Sequence, residues 1–339
     1  TLINNIYLFL IPVGILIGKA TSDYNDFLLN FIFYLILAPA IASVLHKFLY
    51  VSSSSMRVSG GVESFDEMMA LPELAETRQG KEPSDGTVSF QDVSFSYSRD
   101  DTLALSDVSF TAREGGVTAI VGTSGGGKST IAHLIPRFWD VSKGRICIGD
   151  VDIREMTECD LMRQVSLVFQ DVYLFNQSIR DNIKIGIPEA SDEEVVRAAK
   201  AACCDEFIES LPNGYDTVLG EGGVHLSGGE AQRISIARAI IRNTPILVLD
   251  EATAFADPEN ERLIQTALRK LMKGRTVIII AHRLGTIKDA DNILVMDKGK
   301  LVESGTHSDL LQAKGVYSDM WMRYTQSLEW GIGKEEVAL

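Results

Sequence analysis

Gly122-Thr123-Ser124-Gly125-Gly126-Gly127-Lys128-Ser129 follows directly on an apolar, strand-like run, Val117 to Val121, and this junction decides the fold. The spacing G-x-x-x-x-G-K-[ST] after a strand is that of a phosphate-binding loop at a strand-to-helix turn, so an α/β P-loop domain is expected. The glycines let backbone N–H groups turn inward around the phosphates of a nucleoside triphosphate. Lys128 then reaches the β- and γ-phosphates, and the Ser129 hydroxyl ligates Mg²⁺. A helix beginning at Lys128 adds its positive N-terminal end, with Thr130 in its first turn completing the nucleotide-contacting set.

Further along, Ile246-Leu247-Val248-Leu249 is a short continuous apolar run, the pattern of a parallel strand buried on both faces. It delivers Asp250 and Glu251 to the strand's C-terminal end, where α/β sheets bind ligands. Val277 to Ile280 repeats the pattern and leads to His282 at the same edge. Ahead of the loop, Val93, Phe95 and Tyr97 alternate with Asp92, Ser94 and Ser96, which places Tyr97 at the end of a half-buried strand. Ser191 and Glu194 form a capping box before the helical stripe Val195, Val196, Ala198, Ala199 and Ala202.

The segment Leu226-Ser227-Gly228-Gly229-Glu230 separates this chain from other P-loop proteins, because with it the chain resembles an ABC ATPase. The resemblance takes in Tyr97, Gln170 after the run Val165 to Phe169, Asp250-Glu251 and His282, all in family order, and spans roughly residues 85 to 325. The whole looks like the C-terminal part of a bacterial exporter-type ABC half-transporter. That implies a RecA-like α/β ABC ATPase domain with antiparallel β and helical subdomains, preceded by all-α transmembrane helices.

In such a protein Tyr97 stacks on adenine, and Gln170 touches Mg²⁺ and water and reports nucleotide occupancy. Asp250 holds Mg²⁺, Glu251 polarises the attacking water and His282 senses the γ-phosphate. Ser227, Gly228, Gly229 and Glu230 act on the nucleotide held by a second subunit, so two ATP molecules are sandwiched in a head-to-tail dimer. Gly220 to Gly223 contacts membrane-domain loops. Two departures stand out: Glu230 replaces the usual Gln, and Ala254-Phe255-Ala256-Asp257 replaces the common Ser-Ala-Leu-Asp, losing a hydroxyl at Ala254 while keeping Asp257. The catalytic set Lys128, Asp250, Glu251 and His282 is present, which implies a competent hydrolysis site.

The 339 residues suit two domains, and the composition is split between an apolar front and a charged remainder. The net charge of −14 falls mainly after Arg57 and excludes the basic face that a nucleic-acid partner normally needs. Cys147, Cys159, Cys203 and Cys204 have no C-x-x-C spacing and read as reduced thiols. The front lacks the basic n-region and small-residue cleavage site of a signal peptide. Instead, Leu2 to Gly18 reads as most of one membrane span and Phe27 to Tyr50, about 36 Å long as a helix, as a second with Pro39 inside it.

The polar connector Lys19 to Asp26 makes these spans a hairpin. His46, Lys47 and Arg57 place its far end in the cytoplasm of a multi-pass plasma-membrane protein. Residues 1–70 are thus read as transmembrane helices with a cytoplasmic extension, 71–86 as a linker, 87–325 as the nucleotide-binding domain with a helical subdomain at 171–238, and 326–339 as a tail.

The function implied is ATP-driven export of a lipid, peptide or drug-like molecule, with a second half-transporter as partner in the bilayer. An exporter-fold importer of ferric siderophores is the alternative on direction, hinted at by the run Ala252 to Asn260. An ATP-binding regulatory half with weak hydrolysis is a further alternative, and a soluble ABC ATPase is disfavoured by the apolar front and the acidic charge.

Overall fold

The computed structural model describes residues 10–20, 23–70, 74, 77, 79–98, 102–169, 171–220, 223–250, 258–281 and 283–335. The chain divides into two compact units, Thr1–Glu73 and Leu74–Leu339.

The first unit contains α1, Leu10–Ala20, and α2, Tyr24–Met69. Small residues let the two meet: a side chain on Gly18 would come within 2.7 Å of the Phe27 ring, and Gly14 faces Phe31 in the same way. The rings of Phe27 and Phe31 stack at 6.0 Å to receive them. α1 ends and α2 begins within the polar segment Lys19 to Asp26 expected to connect them, and Asp26 in the first turn of α2 suits the positive helix end.

The 46 residues of α2 continue through Pro39, Ser52 to Ser55 and Gly60-Gly61. Ser43 and Ser53 donate their hydroxyls back to the carbonyls of Ala40 and Tyr50, both at 2.9 Å, which leaves these polar groups satisfied within the helix. Its segment Asn25–Asp66 is, among the described residues, the one helix long and apolar enough to cross a membrane. The residues expected to begin the first span, 1–9, lie outside the described set.

The second unit holds two sheets. β1 (Val88–Phe95) and β2 (Leu105–Ala112) lead to β3 (Val117–Gly122), which is followed by α3 (Lys128–Leu134). Next come β4 (Lys143–Ile148), β5 (Val151–Asp152), α4 (Glu158–Gln164) and β6 (Val165–Val168). A helical layer follows: α5 (Ile179–Lys184), α6 (Asp192–Ala201), α7 (Asp205–Ser210) and α8 (Gly228–Arg242). The chain returns through β7 (Ile246–Asp250), α9 (Pro258–Met272), β8 (Thr276–Ile280), β9 (Asn292–Asp297) and β10 (Lys300–Gly305), and closes with α10 (His307–Ala313) and α11 (Val316–Glu335).

The larger sheet has the order β10-β9-β3-β8-β7-β6, parallel except for β10, and the smaller is antiparallel in the order β2-β1-β4-β5. In β7, Ile246 and Val248 pack into a core shared with β1, β2 and α3. Leu247 and Leu249 pack instead into a second core with α5 to α9, so the continuous apolar run serves two layers at once. A third core seats Val121, Ile293 and Val295 against Tyr317 of α11.

One local expectation differs from the fold. β1 ends at Phe95, short of Tyr97, and its pairing with β2 shifts register between Phe90 and Val93 and again between Val93 and Phe95. Asp92, with φ of 48°, bends the strand there, so the alternation read from the sequence stops early. The part of the linker that is described is also fastened down. The Thr77 hydroxyl donates to the Arg154 carbonyl at 2.7 Å, the Lys81 N–H to the Glu155 carbonyl at 3.1 Å, and the Lys81 ammonium pairs with the Glu155 carboxylate at 2.8 Å. Polar composition signals solvent or hydrogen bonding without saying which, and here the partners lie over seventy positions away.

Candidate active site

The C-terminal ends of β3, β7 and β8 share one edge of the large sheet, and the P-loop bridges β3 to α3 there. Gly122, with φ of 146°, lies so close to the Met296 carbonyl that no side chain fits between them. Gly125 and Gly127 have φ of 74° and 89°, conformations that turn successive N–H groups inward. The loop is braced from outside: the Gly299 N–H donates to the Gly126 carbonyl at 3.2 Å, and the Thr123 hydroxyl to Asp297 at 3.1 Å. Lys128 is buried and directs its ammonium into the loop, donating to the carbonyls of Gly122 at 3.1 Å and Thr123 at 2.8 Å.

Ser124 and Ser129 are exposed at the mouth of the loop, while Thr130 is buried beneath it. Tyr97 reaches across this helix start: its hydroxyl donates to Thr130 Oγ1 at 3.2 Å. Its ring stands edge-on to Phe95 at 4.9 Å and to Trp139 at 5.2 Å. About half of Tyr97 remains exposed (49%), leaving ring surface for a planar base beside the phosphate loop. Asp250 ends β7, half-buried, two strands from β3. Gln170, Glu251, Asp257 and His282 lie outside the described residues, as does the altered stretch Ala254-Phe255-Ala256.

Among the described residues no three of His, Cys, Asp and Glu are grouped to hold a metal ion. The donors present are a hydroxyl, Ser129, and a carboxylate, Asp250. This sparse set of hard oxygens fits Mg²⁺, which keeps several waters and is completed by phosphate oxygens rather than by a protein cage.

The signature segment forms the start of α8. Ser227 caps the helix with φ of −64° and ψ of 158°, and Glu230 completes a capping box with it. Ser227 and Gly228 are exposed, while Gly229 is buried so tightly against Asn260 that an added Cβ would come within 2.8 Å of it. Arg233, one turn on, donates to the same Asn260 side chain and lies 5.2 Å over the Phe207 ring. Thus α8 is tied to the start of α9, which follows the carboxylate stretch in sequence.

Sequence reasoning missed three of these supports: Asp297, the Arg233–Asn260 contact, and Asn182. Asn182 is fully buried and fixes the loop after Gln170, accepting from the Phe175 N–H at 2.9 Å and donating to the carbonyls of Phe175 and Ser178, both at 3.0 Å. Arg238 of α8 clamps the same loop through the Asn182 and Tyr173 carbonyls, both at 2.7 Å, and burial pulls its guanidinium down to about 10. A single polar residue inside a helix carries no pattern, so only the fold reveals these contacts. A groove of about 260 Å³ lies beside the clamp, lined by Phe169, Tyr173, Phe175 and Arg242 among others.

Residues 105–254 match the ABC transporter family. YgaD of Bacillus subtilis, provisionally named a multidrug export ATP-binding/permease protein, is 51% identical over 236 residues, covering 70% of this chain and 41% of its own length. An ATP-dependent lipid A-core flippase of Pseudomonas aeruginosa is 46% identical over 289 residues, covering 84% of this chain and 48% of its own. Among solved structures, a bacterial Atm1-family ABC exporter with ATP bound superposes with a TM-score of 0.71 at 42% identity, over 85% of this chain and 52% of that one. The chain thus spans about half the length of the relatives it matches.

Proposed function

Because the domain that carries residues 105–254 belongs to the ABC transporter family, we propose that this chain is the ATP-hydrolysing, membrane-anchored part of a bacterial exporter-type half-transporter. The observation that carries the reading is the pairing of a braced P-loop with a capped signature helix in one domain, behind a helix long enough to cross a bilayer.

In this reading Tyr97 holds adenine, and the P-loop N–H groups with Lys128 hold the phosphates. The helix start at Ser227 faces the nucleotide of a second copy or of a related half-transporter. Mg²⁺, when bound by Ser129, Asp250 and Gln170, neutralises charge on the β- and γ-phosphates. Glu251 polarises the water that attacks the γ-phosphorus while the bond to the ADP oxygen breaks, and His282 positions the γ-phosphate. ATP binding favours the closed pair and hydrolysis releases it, so closure and opening are passed to the membrane helices as a shift between two states.

The protein lies in the plasma membrane as a multi-pass protein whose spans include the helical hairpin at the front of this chain, with the nucleotide-binding domain in the cytoplasm. Its cargo is a lipid, peptide or drug-like molecule. The similar proteins are named for different cargoes, and transport assays in sealed vesicles test direction and cargo. ATP-dependent uptake of a ferric siderophore there would reverse the export reading. A weakly hydrolysing half of a heterodimer is the second reading, favoured by Glu230 and Ala254.

The deciding experiment is Mg²⁺-ATP hydrolysis by the full-length protein in lipid nanodiscs, with Glu251→Gln as the blank. Turnover that disappears in the variant supports a self-pairing enzyme. Turnover equal in both sinks the assignment of Glu251. Turnover only after co-expression with another half-transporter selects the heterodimer.

A further inference from the structure

The capping box at the signature helix engages the donors that the proposed site needs. Glu230 Oε2 accepts from the Ser227 N–H and from the Ser227 hydroxyl, each at 2.8 Å, while Ser227 Oγ accepts from the Glu230 N–H at 3.3 Å. One carboxylate oxygen therefore holds both protons that Ser227 has to offer. Ser227 is exposed and Glu230 half-buried, so this charged bond stands at the surface where α8 begins.

We propose that Glu230 sets the ATP affinity of dimer closure, by occupying the Ser227 donors and by repelling the incoming γ-phosphate of the opposing nucleotide. This deepens, and rests on, the reading that Ser227 faces a second subunit's ATP. A glutamine at the same place accepts from Ser227 more weakly, through a neutral amide oxygen, carries no net charge, and has an amide that donates to phosphate. Glu230 keeps the helix capped while making the anion compete for its own ligands. The box thus holds the domain pair open until ATP is abundant enough to displace it.

The cap and the charge separate experimentally, because Glu230→Gln removes only the charge whereas Glu230→Ala removes the acceptor as well. The test uses the full-length protein in nanodiscs, with spin-label distances between the two nucleotide-binding domains followed against ATP. For Glu230→Gln, half-maximal closure is expected at roughly five- to tenfold less ATP than wild type, the scale of one like charge at a partly exposed site. That ratio should shrink as salt is raised, because the competing charges are partly exposed. Ser227→Ala should raise the ATP requirement more in the Glu230→Gln background than in wild type, where the hydroxyl is already engaged.

Identical ATP dependence for wild type and Glu230→Gln, with closure intact in both, overturns the proposal and spares the sandwich reading. Absence of ATP-driven closure in both proteins, with no hydrolysis in either, overturns the sandwich reading itself. A purely structural cap predicts instead that melting temperature falls in Glu230→Ala while ATP dependence stays fixed in both variants.

Discussion

Lys128 shows what one residue contributes before any nucleotide arrives. Its buried ammonium rests on the carbonyls of Gly122 and Thr123, so a positive charge is already placed inside the loop. Lys128→Ala is expected to lower ATP turnover at least about a hundredfold while leaving the melting temperature within a few degrees, since the charge is used by phosphate more than by the fold. Steady-state turnover and thermal denaturation together check this.

The thiols offer a second test. Burial pushes the Cys147 and Cys204 thiols up, which leaves little thiolate at pH 8, whereas Cys159 is exposed. Iodoacetamide at pH 8 should therefore label Cys159 in the native protein, and Cys147 and Cys204 only after unfolding, as read by peptide mass mapping. At this scale the P-loop was legible because its chemistry is written in consecutive residues. Asp297, which braces Thr123, was not legible because 174 positions separate the pair.

Among the elements, helix starts were the most legible. Ser191 and Glu194 form the box expected of them, the Ser191 N–H donating to Glu194 at 2.8 Å. Ser191→Ala should cost about 1 kcal/mol of domain stability, seen in urea unfolding, and leave ATP turnover unchanged, because α6 packs into the core of the helical layer while α3, behind the P-loop, packs into the other. The α8–α9 junction behaves differently. Gly229→Val drives a branched side chain into Asn260, with an expected loss of roughly 1–3 kcal/mol. It should also displace the signature segment, so turnover falls together with stability.

The buried strands β7 and β8 were equally plain, since continuous apolar runs between polar stops have few other uses. The end of β1 was not, because the bend at Asp92 belongs to the pairing with β2, which the alternation of residue types does not encode.

For the molecule as a whole, the front and the remainder of the chain obey different solvents. At about 1.5 Å per residue the 46 residues of α2 extend roughly 69 Å, more than twice the ~30 Å hydrocarbon core, so a bilayer could hold only part of it. Ile36→Arg, inside the apolar run Phe27 to Tyr50, should cost about 2.5–3.5 kcal/mol of insertion and release protein in carbonate extraction, while Met56→Arg, past Tyr50, should leave extraction unchanged. A helix long and apolar enough to cross a bilayer was readable from the sequence. The fastening of Thr77 and Lys81 was not, since the acceptors at Arg154 and Glu155 belong to a distant turn.

Sheet order has a consequence for biosynthesis. Val117 of β3 pairs with Val277 of β8, and Val121 with Val295 of β9, so both flanks of the P-loop strand are supplied late. Pairings this far apart close slowly and only after the intervening chain exists. On the ribosome the phosphate loop therefore emerges without walls. A nascent chain stalled before β8 should fail to retain ATP, and one that has reached Asp297 has every strand of the parallel sheet in hand. The helices α1 and α2 are complete long before that point, so the apolar front of the chain is made before the walls of the phosphate loop.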